Sequence, residues 1–71
     1  MWLHITFPGH NVDSHELYND LRMYDVNVTD MGIVVHVYKN GITMNQINDV
    51  IAICEKHGHF VINEIASVRH N

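Results

Sequence analysis

The stretch Val26-Asn27-Val28-Thr29-Asp30-Met31-Gly32-Ile33-Val34-Val35-His36-Val37-Tyr38 decides the fold. Val26 and Val28 alternate with Asn27 and Thr29, the period-2 signature of a short half-buried strand. Asp30-Met31-Gly32 is a turn signal, and the chain from Ile33 to Tyr38 reads as the returning strand of a β-hairpin. On that strand Ile33, Val35 and Val37 face one way, and Val34, His36 and Tyr38 face the other. A strand that is apolar on both sides suits the middle of a sheet.

The flanking segments follow from this hairpin. In residues 2–7 Leu3, Ile5 and Phe7 point one way and Trp2, His4 and Thr6 the other, and Pro8-Gly9 ends the strand. Residues 13–24 read as a helix, with Asp13 as N-cap, Glu16 three residues on, and Leu17, Leu21 and Tyr24 as one apolar stripe. After a turn at Lys39-Asn40-Gly41, Thr43 and Gln46 form a capping box, and Gly58 suits the end of the helix they open. Met44, Ile47, Val50, Ile51 and Cys54 share one face of that helix. Residues 59–66 form the last strand, with Phe60 and Ile62 opposite Val61 and Asn63 in phase. The phase breaks after Asn63, because Ile65 and Val68 are apolar on opposite parities, so a bulge or strand end is expected near Glu64.

The order strand, helix, strand, strand, helix, strand specifies an α+β domain on the ferredoxin-like βαββαβ plan. This is a four-stranded antiparallel sheet with both helices on one face. Right-handed crossovers place the first and third strands in the middle. The expected core is Leu3, Ile5, Leu17, Leu21, Ile33, Val35, Val37, Ile47, Ile51 and Phe60. Residues 1–71 form a single domain, and the opening Met1 and structured ends read as one complete small reading frame.

Composition narrows the function. Lys and Arg number 4 against 8 Asp and Glu, a formal charge of -4, which argues against a nucleic-acid backbone as the main partner. A single cysteine leaves no disulfide framework and no multi-cysteine metal site, and with no export signal it points to a reducing cytoplasm. No apolar run approaches the roughly 20 residues that span a bilayer. The sequence names no cofactor. The loop after the first strand, Phe7-Pro8-Gly9-His10-Asn11, lacks the Cys-x-x-Cys of metal-carrier domains built on this plan. The third strand lacks the paired aromatic and basic residues of its RNA-recognition users.

Catalytic constellations are absent from the pattern. Cys54 lies on the core stripe of its helix, where a thiol is inert filling. Ser14 and His15 are neighbours in sequence, and adjacent helix positions do not face each other. The four glycines stand singly at turns and make no phosphate loop. Seven histidines raise the question of a metal. His57-x-His59 brackets Gly58, but His4 and His36 are the better pair, since they share parity on neighbouring strands. Two ligands fall short of the four of a structural zinc site, so the expectation is hydrogen-bonded histidines and no metal.

Two surfaces remain. The helix-free face carries Trp2, His4, Val34, His36 and Tyr38, with Thr6, Asn27, Thr29, Val61 and Asn63 around them. Trp and Tyr are favoured at interface cores, so this face is the candidate interface, covered by a second copy, another protein or a short C-terminal tail. The second surface is acidic. The whole formal charge arises between residues 13 and 30, and Asp13, Glu16 and Asp20 lie on one flank of the first helix as a candidate patch for a basic partner surface. The function expected is a non-catalytic, homodimeric, cytoplasmic protein-binding module, an inhibitor or adaptor of phage or mobile-element type. The alternatives are a small-ligand sensor, with polar groups converging at loops 8–12 and 39–43 of a dimer, and a histidine-based metal-binding module.

Overall fold

Strand β1 (Trp2–Pro8) alternates half-buried and fully buried residues along its length, with Leu3, Ile5 and Phe7 inward. The computed structural model describes residues 1–66, and the chain continues as α1 (Ser14–Leu21), β2 (Asn27–Asp30), β3 (Val34–Asn40), α2 (Met44–Glu55) and β4 (Val61–Ala66). The four strands form one antiparallel sheet in the order β2-β3-β1-β4, so β1 and β3 are central as their patterns require. Leu3, Ile5, Phe7, Val35 and Val37 from the sheet share one core with Leu17 and Leu21 of α1 and Ile47, Val50 and Cys54 of α2. Both helices therefore cover the same sheet face. The α+β architecture is compatible with the ferredoxin-like plan.

Local chemistry sets the element ends. The Asp13 carboxylate accepts from the His15 and Glu16 backbone N–H groups and starts α1. Thr43 and Gln46 exchange both bonds of a capping box and start α2. The expected helix over 13–24 is shorter than its pattern. It tightens into a 3-10 turn at Arg22–Tyr24 and stops at Asp25, which takes a left-handed conformation (φ 54°). Gly9 allows the β1–α1 loop to meet the hairpin, because a Cβ there would stand 2.1 Å from the Gly32 carbonyl oxygen.

Three core assignments, and the placing of Met44 on the inward face of α2, need correction. Ile33 is 84% exposed, because β3 begins at Val34 and Ile33 belongs to the turn. Met44 is half exposed, since it occupies the first position of α2, before the helix reaches over the sheet. Ile51 is only partly buried, at the margin of the helix stripe. Phe60 is likewise partly buried; it precedes β4, packing its ring 5.3 Å from that of Phe7. The core gains Phe7, Val50 and Cys54 from the apolar faces already recognised, Val26 from the approach to β2, and Ile42 from the β3–α2 loop.

The expected irregularity in the last strand is a bulge at Asn63. Ile62 pairs with Ile5, and Glu64 pairs with His4, so Asn63 has no partner in the register. The extra residue returns Ile65 to the face of Ile62, resolving the broken parity as far as Ala66; Val68 lies outside the described residues. Among the described residues no helix is long and apolar enough to cross a membrane.

Candidate functional site

The helix-free face is built by the alternate residues of the two central strands. The register sets His4 opposite Tyr38 and Thr6 opposite His36, so His4 and His36 are diagonal neighbours in the middle of the sheet. Their rings meet there, with His4 Nε2 3.0 Å from His36 Nδ1 and ring centroids 5.1 Å apart. The Thr6 hydroxyl lies 3.3 Å from the same His36 nitrogen and donates to the Asn63 side-chain carbonyl. Trp2 packs at the end of the row, its ring 6.2 Å from His4 and 6.0 Å from Tyr38.

These side chains enclose a shallow hollow of about 380 Å³, lined by Trp2, His4, Thr29, Met31, His36 and Tyr38. Four of the five residues expected on this face line it, and Val34 stands on the same face further along β3, beside Pro8. All five are half-buried. Met31 was hidden from the pattern by its place in a turn. Glu64 reaches this face only because the bulge shifts it opposite His4. The central strands present no charged side chain here, and Glu64 on the edge strand is the carboxylate nearest them by register.

The acidic flank is divided by its internal partners. Asp13 is used as the helix cap. Asp20 Oδ2 lies 2.7 Å from His57 Nε2, which ties α1 to the end of α2. Glu16 is exposed on the flank between them. Asp30 is held below the ordinary carboxylate range by the Ser14 hydroxyl, then by the Gly32 N–H and the nearby His15. The structure thus turns Ser14 toward Asp30 and not toward a histidine.

Cys54 is fully buried, and burial together with the neighbouring Glu55 pushes its thiol up to about 12. No group of three or more His, Cys, Asp or Glu side chains among the described residues could hold a metal ion. The second hollow, about 290 Å³, is lined by Asn19, Asp20, Arg22 and Met23. Neither hollow draws its lining from loops 8–12 or 39–43, where a small-ligand sensor was expected to gather its polar groups. The tail considered as a cover for the open face falls on residues 67–71, outside the described residues. No family model, curated protein or solved structure matches the chain.

Proposed function

We propose that this chain is a ferredoxin-like, non-catalytic protein-binding module that pairs with a second copy through its helix-free sheet face. The observation that carries this reading is the Trp2–His4–His36–Tyr38 cluster around one apolar hollow on the two central strands. Aromatic side chains of this kind bury large area at little entropic cost and anchor interface cores. A second copy is favoured by charge. The chain carries -4, and two copies repel unless they meet where charge is absent. The central strands supply such a surface, with Glu64 sharing the face from the edge strand, while Asp13, Glu16, Asp20 and Asp25 belong to the α1 segment on the other side.

The buried thiol of Cys54 supports a binding role over a nucleophilic one. In this reading the dimer works in the cytoplasm as an inhibitor or adaptor, and Glu16 with its acidic neighbours is the surface left for a basic partner protein. Trp2 is the sole tryptophan and sits at the proposed interface, so it is a built-in probe. Its emission is expected to shift to the red on dilution, as the dimer separates and the indole meets water. Emission independent of concentration from millimolar to nanomolar, at the position of a half-exposed indole, contradicts the pairing.

A further inference from the structure

We propose that His4 and His36 are one half of a transition-metal site completed by the same pair from a second copy, a four-imidazole centre on the dimer axis. This rests on the open-face pairing proposed above. The starting observation is the approach of two ring nitrogens, His4 Nε2 and His36 Nδ1, to 3.0 Å on a half-buried face. Two imidazoles bound to one tetrahedral zinc at the usual ~2.0–2.1 Å place their nitrogens roughly 3.3 Å apart. To accept a metal the rings give up the hydrogen bond between them and the Thr6 contact at His36 Nδ1, part by a few tenths of an ångström, and turn so that both lone pairs converge on one point. Their backbones need not move, because β1 and β3 are hydrogen-bonded neighbours that fix the diagonal.

One chain supplies two nitrogens and no third His, Cys, Asp or Glu among the described residues. The site is therefore incomplete without the partner copy. The pair lies on the two middle strands, so a two-fold axis crossing the centre of this face would set the four imidazoles around one point. Imidazole-only sites suit zinc, copper and nickel, and a tetrahedral four-nitrogen set favours zinc. The surroundings suit a bound dication. Trp2 and Tyr38 line the same hollow as the pair, and the register sets Glu64 opposite His4 on the neighbouring strand. A dication also offsets part of the repulsion between two chains of charge -4.

The test uses the untagged full chain, stripped of metal, in sedimentation velocity and equilibrium dialysis, with EDTA and with zinc sulfate. Cobalt(II) serves as a visible reporter of tetrahedral geometry. The expected result is one zinc per two chains, a larger dimer fraction with zinc than with EDTA, and a tetrahedral cobalt spectrum. His4→Gln and His36→Gln, each folded by circular dichroism, are expected to weaken uptake by at least about 100-fold, the upper end of what loss of a mere supporting residue costs. His10→Gln, in the exposed loop after β1 and outside the hollow's lining, is expected to leave uptake unchanged. A chain that dimerises in EDTA, loses the dimer on Tyr38→Asp and takes up no zinc overturns the metal site and leaves the pairing standing. One zinc per monomer, or uptake insensitive to His4→Gln and His36→Gln, also overturns the four-imidazole site. A chain that stays monomeric with and without zinc overturns both.

Discussion

Asp20 and His57 are joined across the two helices, with the Asp20 carboxylate 2.7 Å from His57 Nε2. That contact, and the capping role of Asp13, divide an acidic flank that is uniform in the sequence into three different residues. Asp13 stabilises the start of α1, Asp20 ties α1 to the end of α2, and Glu16, exposed like the other two, has no side-chain hydrogen bond or ion pair among the described residues.

The division has a measurable consequence. Asp13→Ala is expected to lower stability by about 1 kcal/mol, within the range for loss of an N-cap. Glu16→Lys is expected to change it by less than about 0.5 kcal/mol, as at an ordinary surface site. Thermal melts of the two variants separate the roles, and equal losses contradict them.

Asp30 predicts a dependence on acid. The Ser14 hydroxyl, at 2.6 Å, and the Gly32 N–H, at 2.9 Å, both favour the ionised carboxylate and hold the folded chain below the ordinary value of 3.8. The unfolded chain therefore takes up the proton first as the pH falls. The stabilisation is complete above 3.8 and is lost as the pH drops through the lower folded value. Urea midpoints at pH 7 and pH 3 check this. Asp30→Asn should be less stable than wild type at pH 7, and the gap should narrow at pH 3. A gap that widens in acid contradicts the assignment.

The two isoleucines of α2 should part company. Ile47 is fully buried and Ile51 only partly, so Ile47→Ala is expected to cost about 2–5 kcal/mol and Ile51→Ala less. In a domain this small the first loss is comparable with the whole stability. Urea unfolding orders the two variants, and a larger loss at Ile51 means the helix is rotated from its described phase.

Cys54 should be chemically silent in the native state. With its thiol pushed up to about 12 and its side chain enclosed, the thiolate needed for attack is scarce at neutral pH. Disulfide-exchange reagents should label it at the rate at which the domain opens, rising sharply in urea. Rapid labelling without denaturant contradicts its placement in the core.

Much of this architecture was legible because strand alternation and helix capping are local. Leu3, Ile5 and Phe7 have one parity, Thr43 and Gln46 have the capping-box spacing, and each signal needs only its own neighbours. The central position of β1 and β3 followed from crossover handedness, and the meeting of His4 and His36 followed from shared parity. What escaped depends on contacts between distant segments. Ile33 looks like a strand residue until the hairpin closes one position later. Ile42 has no periodic partner, yet its loop drops it into the core. Met31 lines the hollow only because the β2–β3 turn carries it beside the central strands. Glu64 joins the open face only after the bulge at Asn63, whose need was visible in the broken parity but whose exact residue is set by pairing with β1. The separate uses of Asp13 and Asp20 were half visible, because a cap is local and a pairing with His57, 37 residues away, is not.

Sedimentation equilibrium of wild type and Tyr38→Asp at neutral pH tests the open-face interface most directly. Tyr38 is half-buried on the helix-free face and outside the core, so the substitution leaves the fold in place and sets a charge against its own copy across a two-fold axis. The expected result is a wild type that sediments as a dimer at high micromolar concentration and a Tyr38→Asp variant that sediments as a folded monomer. A monomeric wild type, or a dimer that survives Tyr38→Asp unchanged, would contradict the interface.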